Sequence, residues 1–322
     1  MQNFQFVAKM AGMTLRDFCR SGENMAQAQI SAWERFGYDI LDLENGTACV
    51  AEACGCEVEY PENEPPRVVS HIMRDLKDMG CLRQINPERD GTLPELLLAT
   101  RRVKSAVAGR ALVKGEADQG PFGLAAMLMP PELFFMALMD SEMEADVHRL
   151  LKYCQEQVMR YALAQAAAGA DLVSIGDSAA GPDVCSPAVY RKFALPYEMG
   201  LAAELARKNI PLVLHICGNA TAIMSDMASS GAAMIEFDYK SDMEKCRVAA
   251  AGVTLVGNID PSGVMALGAP EDVFRECRCA IKSLGRAGRF ILSPGCTLPS
   301  ITPAENVEAM MESARSFCLS DL

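Results

Sequence analysis

Several features that would assign a function at once are scarce or missing from this sequence. One tryptophan in 322 residues, beside 20 methionines, points to a core of aliphatic and thioether side chains rather than stacked rings. Basic residues are in deficit: 30 Lys and Arg face 42 Asp and Glu, a net charge of −12. Such a surface repels phosphate backbones and anionic lipid, which excludes nucleic-acid binding as the expected role. No block of five like charges marks an interaction tail. The start, Met1-Gln2-Asn3-Phe4, has no basic region ahead of an apolar core. The most apolar stretch, 124–139, is broken by Pro130-Pro131-Glu132 before it reaches spanning length. A cytoplasmic protein is expected. Repeats, low-complexity segments and Ser/Gly linkers are absent. The one Pro-rich interruption, 60–66, reads as a surface loop, so 1–322 is expected to be a single domain.

Cysteine, in contrast, is abundant. Thirteen is an odd number, and without an export signal it argues for reduced thiols, most of them buried as small apolar residues. A minority are candidates for metal ligation.

Short apolar runs alternate with long helical stretches. The runs at 4–8, 39–43, 111–115, 171–175, 211–216, 234–237, 254–257 and 290–292 read as eight strands. Helical periodicity covers 142–168 (ended by Gly169), 187–206 (capped by Ser186, with Pro187 first) and 270–284 (ended by Gly285). Near-continuous apolar strands alternating with helices imply a parallel sheet, and eight such units predict an α/β fold of the (β/α)8, TIM-barrel type. An open doubly wound sheet is the alternative. It loses its usual support because neither G-x-G-x-x-G nor G-x-x-x-x-G-K-[ST] follows any strand.

Barrel chemistry sits at the C-terminal ends of strands. His215 and Cys217 close the run at 211–216; two positions apart, they share a face. Cys296 lies just past the run at 290–292. In a closed barrel one imidazole and two thiols converge at the mouth. Zinc is the natural ion for that donor set, and three protein ligands leave the open position of a catalytic site. Two thiolates offset the dication, which suits holding a sulfur nucleophile better than polarising water. The competing reading is that an H-x-C arises by chance and the cysteines are packing residues.

Other polar residues also follow strands. Asp177 and Ser178 are read as polar contacts at the mouth or as a turn and helix cap. Glu236 and Asp238 are candidates for a fourth ligand, for a hydrogen bond to His215 that fixes its tautomer, or for solvated loop carboxylates. Asn258 and Asp260 are candidates for substrate contact, with Asp260-Pro261 equally a helix cap. Cys54/Cys56 and Cys277/Cys279 are not read as metal pairs; on a helix the latter two point about 200° apart. His71 and His148 are read as surface or packing residues in helical stretches, and 285–289 as a connection before a strand.

The stretch His215-Ile216-Cys217-Gly218-Asn219 resembles the zinc motif of the methylcobamide:thiol methyltransferases within the uroporphyrinogen decarboxylase superfamily. Ile291-Leu292-Ser293-Pro294-Gly295-Cys296, with Thr302-Pro303 and Glu305-Asn306-Val307 after it, resembles the C-terminal motif of that group. Gly120-Pro121-Phe122-Gly123, Ile175-Gly176-Asp177-Ser178, Ser186-Pro187 onward to Pro196, and Gly257-Asn258-Ile259-Asp260-Pro261 are similar to superfamily-wide segments. The resemblance implies a TIM barrel and a zinc ion on His215, Cys217 and Cys296. It also implies methyl transfer between a zinc-bound thiolate and a corrinoid on a transient partner protein, with coenzyme M the acceptor in methanogen members. Two features depart from the decarboxylases: Leu43-Glu44-Asn45-Gly46 stands where they carry an F-S-D-I aspartate, and their R-Q-A-G-R-Y motif is missing. Corrinoid-dependent methyltransferase is therefore the expected activity. The alternatives are a corrinoid- or tetrapyrrole-binding protein without turnover, and a porphyrinogen decarboxylase-like lyase.

Overall fold

The computed structural model describes residues 2–285 and 288–317. Seven parallel strands form its main sheet: β1 (Ile40–Leu43), β4 (Leu112–Gln119), β5 (Leu172–Gly176), β6 (Leu212–Ile216), β7 (Met234–Phe237), β8 (Thr254–Ile259) and β9 (Phe290–Pro294), paired in that order. A small antiparallel hairpin of β2 (Glu57–Glu59) and β3 (Arg67–Ser70) lies apart from it, and the Pro-rich segment 60–66 is its loop. The helices between the parallel strands cover the outside.

The sheet curls on itself. Ile40, Leu112, Leu172, Val213, Met234, Val256 and Ile291, one from each strand, line one cavity of about 420 Å³. Edge strands β1 and β9 therefore face each other across it, although no ladder joins them among the described residues. Gln2 bridges this side: its carbonyl accepts the Leu298 N–H at 3.0 Å, and its side chain bonds Thr297 and Glu236, each at 3.1 Å.

The expected first strand, 4–8, is a helix (Phe4–Met10). Its buried residues include Phe4, Val7 and Ala8, spaced to meet one side of a helix; a run that short fits either period. The sheet thus has seven strands, not eight. The segment 187–206 is helical throughout, as expected, with one local change of pitch. Ser186 does cap its start, accepting the Val189 N–H, but the segment passes through a wide turn at Tyr190–Ala194 before Leu195–Arg207. Pro196 has no N–H to give the preceding turn, which loosens the helix there. His71 follows β3 in a loop, not a helix, with Nδ1 2.9 Å from the Met127 carbonyl. His148 is helical and stacks on Phe193, with ring centroids 5.1 Å apart. In the segment 285–289, Arg286 and Ala287 lie outside the described residues.

The register sorts the interior into layers. Strand alternation turns every second residue inward. At the bottom these are the apolar residues that line the cavity. Toward the top they become Asp42, Lys114, Ser174, His215, Glu236, Asn258 and Ser293, then Glu44 and Glu116, all buried. Lys114, Glu236 and Ser293 border the apolar cavity and begin the polar layers above it.

Candidate metal centre

All five residues of β6, Leu-Val-Leu-His-Ile, are buried, so the strand is held from both faces and His215 has one direction left, inward. Cys217 follows on the same face. Its N–H donates to Ser178 Oγ at 3.0 Å, and the Gly218 N–H donates to Asp238 Oδ2 at 2.9 Å. The loop after β6 is thus tied to the loops after β5 and β7. Cys296 arrives from β9 through Pro294-Gly295. A Cβ at Gly295 would lie 2.7 Å from the Tyr239 backbone nitrogen, so only glycine lets this loop press against the one after β7.

The ligand atoms of His215, Cys217 and Cys296 lie within 4.8 Å of one another. His215 Nε2 is 2.9 Å from Cys217 Sγ, which is 3.6 Å from Cys296 Sγ. Tetrahedral zinc with ordinary Zn–N and Zn–S bonds separates its ligands by about 3.6 Å (N to S) and about 3.8 Å (S to S). The thiol pair already has that spacing, and the imidazole would open by a fraction of an ångström. His215 Nδ1 lies 3.1 Å from the Glu236 carbonyl; donating there, it leaves the Nε2 lone pair toward the sulfurs. Donor type, spacing and tautomer all fit zinc.

Charge in the pocket follows the same geometry. The Cys296 hydrogen bond lowers the Cys217 thiol to about 3, against burial and with help from His215. Burial opposes a charged His215, but the Cys217 thiolate outweighs it and raises the imidazole to about 10. Cys296 is driven up by its bond to Cys217 and by burial. Ligation needs both sulfurs as thiolates and the imidazole neutral, so metal loading releases protons.

The other sequence candidates surround the trio in different ways. Asp177, fully buried, accepts the Phe122 and Gly123 N–H groups at 3.3 and 2.6 Å, at the start of the helix Pro121–Leu128. Burial raises it to about 7, against those bonds. A Cβ on Gly120 would lie 2.5 Å from its carboxyl, which accounts for glycine before Pro121. Asp238 also accepts the Lys240 N–H at 3.0 Å. Glu236 meets His215 through its main chain; its carboxylate instead faces Lys114 at 3.5 Å. Asn258 is buried with Oδ1 unpartnered. Asp260 accepts the Ser262 and Gly263 N–H groups, both at 2.9 Å, and shapes a turn. Cys277 is buried and Cys279 exposed, on opposite sides of their helix.

Sequence reasoning missed the acid layer below the trio. Lys114 lies 3.0 Å from Asp42 and 4.0 Å from Glu116, in addition to Glu236. Ser174 donates to Glu116 at 2.6 Å. The signal was the alternation Lys114, Glu116, Asp118 in β4, charges at every second position of a strand buried through most of its length.

The uroporphyrinogen decarboxylase family model matches residues 4–317. A methylcobamide:CoM methyltransferase, MtbA of Methanosarcina acetivorans, is 29% identical over 298 residues, covering 92% of this chain and 85% of that protein. MtaA of Methanosarcina barkeri is 30% identical, covering 90% and 83%. A uroporphyrinogen decarboxylase of Thermus thermophilus is 29% identical, covering 93% and 86%. Among solved structures, a methyltransferase from Methanosarcina mazei superposes with a TM-score of 0.89 at 26% identity, over 98% of this chain and 91% of that one. The chain belongs to the uroporphyrinogen decarboxylase family, on the branch of the methylcobamide methyltransferases.

Proposed function

We propose that this chain is a corrinoid-dependent methyltransferase that moves a methyl group between a corrinoid on a transient partner protein and a thiol, with zinc held by His215, Cys217 and Cys296. The observation that carries the reading is the convergence of those three side chains, from segments 79 positions apart, with their ligand atoms within 4.8 Å of one another. The named relatives support the reaction class.

The chain's own groups divide the work. The Glu236 carbonyl holds the imidazole in the ligating tautomer. Two thiolates offset the metal's charge and keep the site electron-rich. Ser178 and Asp238 hold Cys217 and Gly218 by their main-chain N–H groups, which positions the ligand loop before substrate enters. Zinc, when bound, supplies the Lewis acidity that lowers a substrate thiol's pKa at the mouth. In transfer to the thiol, the methyl carbon exchanges cobalt for sulfur and the bonding pair leaves with cobalt. Cobalt is a good leaving group, so no acid catalyst is required of the chain.

The test is zinc content of protein grown with added Zn²⁺, for the parent, Cys217→Ala and Cys296→Ala, followed by methyl transfer from free methylcobalamin to thiols. About one zinc per chain, lost in both variants, is expected with parent-only transfer. Zinc absent from the parent, or indifferent to both changes, overturns the reading.

A further inference from the structure

We propose that the lower end of the barrel is a second binding site, which takes a neutral aliphatic alcohol of about eight to ten carbons. It lies at the end opposite the metal trio and stands apart from the methyltransferase reading.

A barrel of this type is ordinarily filled by layers of side chains. Here the lowest layer, one apolar residue from each of the seven strands, encloses about 420 Å³ instead. An apolar cavity of about 150 Å³ takes benzene, so this one has room for a chain of about eight to ten carbons. Met310 and Met311, from the helix Ala304–Arg315, add thioethers to the lining, and these adapt to a flexible chain. Leu112, 46% exposed, and Ala314, also exposed, mark the opening to solvent.

The inner end selects the head group. Lys114, Glu236 and Ser293 border the cavity there. Lys114 and Glu236 face each other at 3.5 Å, and their charges cancel. Burial pushes Asp42, the ammonium's other neighbour, up toward its neutral form. A carboxylate head would meet Glu236 inside and the exposed Asp39 at the rim, and an ammonium head would meet Lys114. Ser293 is 2% exposed, and its Oγ has no hydrogen-bond partner. It stands two positions past Ile291 on the same face of β9, directly above the apolar layer. A hydroxyl both donates and accepts, so it pairs with Ser293 whichever way the serine proton turns. An alkane leaves that oxygen unpaired.

The test is calorimetry on the full-length protein with 1-octanol, 1-butanol, octanoate and octylammonium. 1-Octanol should bind about a hundredfold tighter than 1-butanol, through its additional buried methylenes. It should bind about tenfold tighter than either charged octyl chain. Ser293→Ala should weaken 1-octanol about fivefold. Ala314→Trp, at the exposed opening, should weaken it about tenfold or more by filling the entry, and Val256→Phe should do the same from within. Circular dichroism identifies the folded variants, and the exposed position of Ala314 keeps at least one available. Octanol no tighter than butanol, octanoate as tight as octanol, or an affinity unmoved in the folded variants overturns the proposal. So does a dimer in sedimentation that Ala314→Trp breaks, since a second copy is then the occupant. Zinc content and methyl transfer are separate readouts, so each of these outcomes leaves the methyltransferase reading in place.

Discussion

Replacing Lys114 by methionine takes away the one buried lysine or arginine among the described residues and leaves Asp42 and Glu236, 3.0 and 3.5 Å from its ammonium, without that counter-charge. Methionine fills nearly the same volume, so the cavity contribution is small and the electrostatic one dominates. Removing one partner of a buried ion pair costs about 3–5 kcal/mol. At about 2 °C per kcal/mol for a large domain, the melting temperature should fall by roughly 6–10 °C. The deficit should also depend on pH. In the parent, burial pushes Glu236 up, but Lys114 and His215 outweigh it and leave the carboxyl lowered. Its contribution is therefore present above the ordinary Glu range, near pH 4.3, and is lost as pH falls below it. Without Lys114 the same buried carboxyl loses its strongest counter-charge, its pKa should rise, and stability should drain as pH rises. Denaturant titrations at pH 5 and pH 8 should show the parent–variant gap widening at the higher pH. Adding Asp42→Asn and Glu236→Gln should restore most of the loss by removing the stranded charges. A gap below about 1 kcal/mol, the worth of a surface pair, or one equal at both pH values, would refute the account of the acid layer.

Asp238→Ala, which frees the Gly218 and Lys240 N–H groups, should weaken zinc binding about 10–100-fold in chelator competition while the ligands themselves are intact. Gly120→Ala drives a methyl into the Asp177 carboxyl and should cost about 1–3 kcal/mol in urea unfolding. Glu198, fully buried and 2.6 Å from the Tyr190 hydroxyl, is pushed well above the carboxylate range by burial and by Asp177. Such a raised group lends its stability below the ordinary Glu pKa and loses it as pH rises toward the folded value, so Glu198→Gln should gain on the parent between pH 5 and pH 9 in thermal melts.

The metal trio was legible because its pattern is local and its context regular. A continuous apolar run ending in H-x-C, and a second run ending in P-G-C, place donors at strand ends whatever the details between them. The strands of the parallel sheet were legible for the same reason; residues 4–8, too short to show a period, pack as a helix instead, and the hairpin of β2 and β3 was not foreseen. The acid layer was not legible, because Asp42 and Glu44 belong to a short edge segment and Lys114, Glu116 and Asp118 to a strand whose charges meet partners up to 122 positions away. Glu236 illustrates the limit. Its place beside His215 was readable from strand order, but only register reveals that its main chain faces the imidazole while its side chain serves Lys114.

The seam between β9 and β1 has a mechanical consequence. Elsewhere in the barrel, neighbouring staves are riveted by backbone ladders, and widening one gap strains the next. Beside the seam, Gln2 ties the segment after β9 to β7 through Leu298, Thr297 and Glu236, and none of its bonds reaches β1. Among the described residues, the cylinder can therefore spread along one line without breaking a ladder. Amide hydrogens on the open edges of β1 and β9 should exchange through local opening, while those of β5, β6 and β7, laced on both sides, wait for the whole barrel to come apart.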